Sequence, residues 1–132
     1  MASKKLSEEE KEFLGKIKKS DRHKRGGSFV LSERGNIYHG IPFEAGVCVH
    51  GEENAIGTML TEEGEDARFK MILIVGSENE IIMPCGRCRV AIKRYGTKDV
   101  SILCADKSLR KIEKFSIDEL YPHPCEDKWL FD

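Results

Sequence analysis

His50-Gly51-Glu52-Glu53 and, further along, Pro84-Cys85-Gly86-Arg87-Cys88 are the two stretches on which the reading of this chain turns. One imidazole and two thiolates are ligands of the kind Zn²⁺ prefers. A tetrahedral ion with three protein ligands keeps its fourth position open to water, which separates catalytic from structural zinc. Glu52 stands two residues from the first ligand, close enough to reach that water without binding the metal. Alone, a C-x-x-C is a weak signal that fits a structural half-site equally well, and a single histidine is usually an ordinary core or surface residue. Joined, with both halves expected at helix starts, they predict a catalytic centre with His50, Cys85 and Cys88 on the metal and Glu52 carrying protons.

Charge arithmetic favours His50 as first ligand. Two thiolates balance Zn²⁺ and a neutral imidazole adds nothing, so that shell is formally neutral. A three-cysteine shell built with Cys48 would be negative, and the acid that follows Glu52, Glu53, would sit badly beside it. Cys48 also has no carboxylate at the right offset, and a cysteine in an apolar run is more often simply buried. The spacing H-x-E followed by P-C-x-x-C is the mark of zinc-dependent base deaminases. Glu52 would then take a proton from the zinc-bound water and pass protons to the ring nitrogen and the departing ammonia.

Outward from these stretches the elements follow by pattern. Ala55, Ile56, Met59 and Leu60 recur at helical spacing over 51–63, and a second helix is expected from just after Cys85 to about Tyr95. Pro84 holds the turn before it and spares an N–H near the helix start. Both ligand sets thus fall at helix N-termini, where the dipole favours thiolates and carboxylates. Phe69 to Gly76 is a continuous apolar strand of the type buried on both faces. Ser28–Ser32 and Asn36–Ile41 form a hairpin through Glu33-Arg34-Gly35. Residues 42–46 read as a loop, 77–83 as a linker and 96–98 as a turn. Val100–Ala105 and Leu109–Phe115 are the last strands, followed by a short helix opened by Ser116. At the other end, Ser7 caps a helix running to Ser20, with Phe13, Leu14 and Ile17 on its apolar face. The order α-β-β-α-β-α-β-β-α predicts an α/β fold with a mixed sheet packed between helices.

Length and composition bound the rest. The chain has 132 residues, the size of one domain, and 1–132 is read as a single domain. Its net charge of −1 gives no overall basic excess, so nucleic acid is not an expected partner. Lys16 to Arg25 is the one basic segment, read as a solvated helix end. No apolar run is long enough to cross a bilayer, the N-terminus lacks a signal-peptide core, and five cysteines with one C-x-x-C suit reduced thiols. A cytoplasmic protein is therefore expected.

At these residues the chain resembles the cytidine deaminase family, and in Pro84 to Arg89 its blasticidin-S deaminase branch in particular, over about Ser28 to Pro122. The resemblance implies a three-layer α-β-α sandwich around a five-stranded mixed sheet and one zinc per subunit. It also implies a homo-oligomer, commonly a tetramer, whose active sites borrow neighbouring chains. His50, Cys85 and Cys88 would bind the zinc and Glu52 would shuttle protons. Phe29, Glu44, Pro84 and Trp129 are the substrate-binding candidates. Phe29 either stacks on the base or is a plain core residue. Glu44 either binds a sugar hydroxyl or is a solvated loop acid. Trp129 either covers an active site or docks on the surface.

The chain departs from the family pattern where nucleoside deaminases carry an Asn that binds the ribose: Pro42 stands there and cannot both donate and accept. Three functions follow as expectations. The first is deamination of cytidine, deoxycytidine or a related nucleoside. The second is deamination of a non-ribose or modified substrate, such as a blasticidin-like compound or a free base. The third, of another class, is a non-enzymatic zinc-stabilised binding module.

Overall fold

The computed structural model describes residues 4–124, so Cys125 and Trp129 lie outside the described residues. The chain runs α1 (Glu8–Ser20), a 3-10 turn (Arg22–Arg25), β1 (Gly27–Ser32), β2 (Ile37–Gly40), β3 (Phe43–Glu44), β4 (Cys48–Val49) and α2 (Gly51–Glu63). It continues through β5 (Phe69–Val75), α3 (Gly86–Tyr95), β6 (Gly96–Ala105), β7 (Ile112–Ser116) and α4 (Ile117–Leu120). A five-stranded sheet has the order β2-β1-β5-β6-β7. β5 and β6 are parallel because α3 carries the chain back between them, while the remaining pairs are antiparallel.

Alternation along the central strands makes three layers. Ile72 and Ile74 of β5, Val30 of β1 and Ile102 and Cys104 of β6 join the core under α2, α3 and α4. Met71, Leu73 and Val75, with Phe29, Leu31 and Leu103, pack against Phe13, Leu14 and Ile17 of α1. β5 is therefore covered on both sides, which is why Met71 to Val75 reads as one unbroken apolar run. The α/β class, the mixed five-stranded sheet and the α-β-α layering agree with the sequence reading.

Three readings differ by more than a residue at an element's end. Residues 42–46 were expected as a loop, but Phe43 pairs with Val49 and Glu44 with Cys48 in a small separate hairpin. Gly96 starts β6 instead of a turn, since its extended backbone (φ −78°, ψ 155°) closes α3 and pairs with Phe69 at once. The last strand begins at Ile112, not Leu109. The buried Asp106 carboxylate accepts from the N–H groups of Arg110 and Lys111, and Leu109 turns left-handed (φ 62°) to allow it.

α2 approaches the β1–β2 hairpin closely. A Cβ on Gly40 would lie 2.2 Å from the Ala55 nitrogen, and one on Gly51 would lie 2.9 Å from the Gly27 Cα. Only glycine permits that approach. It brings the start of α2 to the sheet end where Gly27, Val75 and Ala105 are aligned across β1, β5 and β6.

Candidate metal centre

His50 and Cys85 are the N-caps of α2 and α3, both in extended backbone (φ −79°, ψ 155° and φ −71°, ψ 173°). Each ligand turn thus lies at the positive end of a helix dipole. His50 Nδ1 lies 3.2 Å from Cys85 Sγ and 3.2 Å from Cys88 Sγ. Among the described residues, these three ligand atoms form a potential metal site, all within 4.8 Å of one another. Tetrahedral zinc, with Zn–N near 2.05 Å and Zn–S near 2.3 Å, holds nitrogen and sulfur roughly 3.5 Å apart. The trio fits such an ion with a slight outward adjustment. The donor set also asks for a cation: burial, and then the neighbouring Glu52 carboxylate, push the Cys88 thiol far up. A divalent ion inverts that preference.

Glu52 is 9% exposed and accepts a 2.9 Å hydrogen bond from Ser28 Oγ. It shares with His50 and Cys85 a cleft of about 260 Å³, whose apolar walls include Pro42, Ile82 and Met83. A polar end holding a metal trio and a carboxylate, under apolar walls, suits a flat heterocycle.

A clamp joins the two ligand turns. Arg87, between the two cysteines, donates from Nη2 to Glu53 Oε1 at 2.7 Å and to the Cys48 carbonyl at 2.8 Å. Glu53 Oε1 also accepts from the His50 backbone N–H at 3.0 Å. Burial pushes the Glu53 carboxyl up, but the His50 N–H and the Arg87 guanidinium outweigh it and hold it below the usual carboxylate range. Glu53 is therefore compensated, and the charge argument that set it against a cysteine-rich shell loses its force. Geometry decides instead: Cys48 is exposed on β4 and outside the cluster, while His50 is in it.

The remaining candidates fare differently. Pro84 is buried, and its carbonyl accepts from Arg89 Nε at 2.8 Å. Phe29 is not brought to the cleft. It is 1% exposed on the α1 face, stacked on His39 with ring centroids 4.0 Å apart. Strand alternation is the reason: Ser28 and Val30 face α2, so Phe29 faces away. Glu44 is exposed on β3 and does not line the cleft. Trp129 lies outside the described residues. Sequence reasoning missed Ser28 and Arg87. The signal for Ser28 was a polar residue in phase with the inward-facing Val30.

Such a centre is equipped for zinc-dependent hydrolytic deamination, and one Zn²⁺ is the cofactor its donors suit. Residues 4–104 match the family model described as the cytidine and deoxycytidylate deaminase zinc-binding region, and the chain belongs to that family. Solved structures agree in fold. Cytidine deaminase from Burkholderia pseudomallei is similar with a TM-score of 0.71 at 22% identity, over 91% of this chain and 100% of that one. The enzyme from Mycobacterium tuberculosis gives 0.62 at 21% identity, over 76% and 77%. That from Mycobacterium leprae gives 0.60 at 21%, over 74% and 77%.

Proposed function

We propose that the protein removes the exocyclic amine of a cytosine-type base, carried as cytidine, deoxycytidine or a related nucleoside. The observation that carries this reading is the buried Glu52 carboxylate, hydrogen-bonded to Ser28 beside the His50–Cys85–Cys88 trio in one cleft. His50 Nδ1 and the two sulfurs would hold the ion. When bound, zinc supplies activation of water near neutral pH. Glu52 would take one proton from the attacking water and deliver it to the ring nitrogen, then take the second from the hydroxyl on the tetrahedral carbon and pass it to the amine, which leaves as ammonia. The Ser28 hydroxyl fixes the carboxylate oxygen through this transfer. The walls hold the ring flat and keep bulk water away.

The Pro42 wall favours one second reading, a substrate whose sugar is absent or modified, because a proline ring offers the ribose nothing to bind. Self-association, as a tetramer or dimer, belongs to the same proposal: Ile41, Phe43, Val47 and Ile82 are exposed and apolar on segments at or beside the cleft. Among the described residues no helix is long and apolar enough to cross a membrane. The free thiols of Cys48, Cys85, Cys88 and Cys104 suit a reducing, cytoplasmic setting.

Zinc-loaded protein and its Glu52→Gln variant, compared by loss of cytidine absorbance, test the reading. We expect turnover by the first, a loss of at least about 10³-fold by the second, and equal zinc content. Zinc-loaded protein inactive on cytidine, deoxycytidine, cytosine and blasticidin-like compounds would overturn it in favour of a zinc-stabilised binding module.

A further inference from the structure

A second cleft, of about 520 Å³, opens at the same end of the sheet on the α1 side, and the deaminase chemistry makes no use of it. Lys18 comes from the last turn of α1, His23 and Lys24 from the 3-10 turn, and Lys107 and Arg110 from the turn between β6 and β7. Glu78 is the single acid on its wall. Among the described residues Lys18, Lys107 and Arg110 have no ion-pair partner; Lys24 has Asp21 at 3.4 Å, with both side chains 68% exposed. Such a gathering of cations is unexpected in a chain with a net charge of −1.

A histidine also lies in the wall of this cleft. His23 is 5% exposed and lines this cleft, yet its Nδ1 is buried without a hydrogen-bond partner. A buried polar atom left unpaired costs about 1–3 kcal/mol, and such atoms are few in folded proteins. Around it the cleft is firmly built. The Asp106 carboxylate accepts from the Arg110 and Lys111 N–H groups and from Ser108 Oγ, so Lys107 and Arg110 project from a fixed turn.

We propose that this cleft binds a phosphate-bearing anion of the di- or triphosphate class, at a site separate from the catalytic cleft. Lys18, Lys24, Lys107 and Arg110 neutralise the phosphates, and the His23 ring lines the cleft beside them. With Lys24 already paired to Asp21, the three remaining cations against Glu78 leave an excess of two charges, spread over a cleft wider than one phosphate. The volume falls within the range of small-molecule sites, about 300–1,000 Å³. The site is read by binding alone, so it stands or falls independently of the deaminase proposal.

The test is calorimetry on zinc-loaded protein at about 0.15 M salt, where loose surface attraction is screened. Orthophosphate, tripolyphosphate and cytidine triphosphate serve as probes, with zinc content checked after each titration. We expect saturable binding of tripolyphosphate, weaker binding of orthophosphate, and a shift of the His23 ring resonances on addition. Equal affinity for cytidine triphosphate would assign recognition to the phosphate chain, and tighter binding would extend the site to the nucleoside. The Lys107→Ala/Arg110→Ala variant should weaken binding roughly tenfold for each cation removed while leaving deamination without added anion unchanged. No saturable binding of tripolyphosphate, an unmoved His23 ring, or full affinity in the variant would each overturn the proposal.

Discussion

Glu52 is a carboxylate kept where charged groups are costly, and Ser28 makes the placement tenable. Ser28 is fully buried and its Oγ is 2.9 Å from Glu52 Oε1. A carboxylate that must accept and return protons works best when its oxygens are held still. Ser28→Ala should therefore lower kcat roughly tenfold, one charge-assisted hydrogen bond in magnitude, with zinc stoichiometry unchanged. Wild-type kcat in that variant would remove Ser28 from the machinery. The clustering of His50, Cys85 and Cys88, with Glu52 in the same cleft, was legible in the sequence because the spacing is local to two turns. Ser28 was not, since its partner is set by strand-to-helix packing. Arg87 stood in plain view within the cysteine motif, yet its pairing with Glu53 needed the second turn in place.

At the scale of elements, α2 is pinned at both ends. Its start rests on glycine contacts with the hairpin, and its last helical residue, Glu63, reaches back to the other end of the same hairpin. Glu63 Oε2 accepts from Ser32 Oγ at 2.7 Å, Tyr38 Oη at 2.8 Å and Asn36 Nδ2 at 2.9 Å, with Arg34 Nε 3.9 Å from Oε1. Burial pushes this carboxyl up, but the Asn36, Ser32 and Tyr38 donors, with Arg34, hold it below its ordinary value of 4.5. Because the folded value is depressed, its contribution to stability is present above the unfolded value near 4.5. It is lost as pH falls through the folded one. Glu63→Gln should cost about 1–2 kcal/mol at neutral pH, and its melting temperature should converge with wild type on acidification. A gap that stayed constant down to pH 3, about one and a half units below the ordinary glutamate value, would refute this account.

For the molecule as a whole, the apolar rim is the feature least suited to an isolated chain. Val47 is 73% exposed, Phe43 51% and Ile82 50%, and Pro42 and Ile82 line the cleft itself. Exposed apolar groups gathered around a functional cleft mark a surface awaiting a partner. A second copy would cover them and complete the cleft walls. Light scattering should give a mass that is a multiple of 15.0 kDa. The Val47→Glu/Ile82→Glu variant should shift the population towards monomer. A monomeric wild type across the micromolar range would exclude this assembly.

The sequence by itself determined the layers and the metal trio. The continuous apolar run in 71–75, helical spacing in 51–63 and the capping Ser7 are local signals that packing did not override, and the H-x-E and C-x-x-C spacings place the candidate ligands within single turns. Only the tertiary structure decided what depends on two distant segments meeting. It turned Phe29 away from the cleft, because its neighbour Ser28 already faced α2. It also set Glu53 against Arg87 and placed Cys48 outside the cluster. Finally, it gathered the basic residues near position 20 with those near 110, which no window of sequence contains together. Local pattern fixes which face a residue shows; close packing fixes what that face meets.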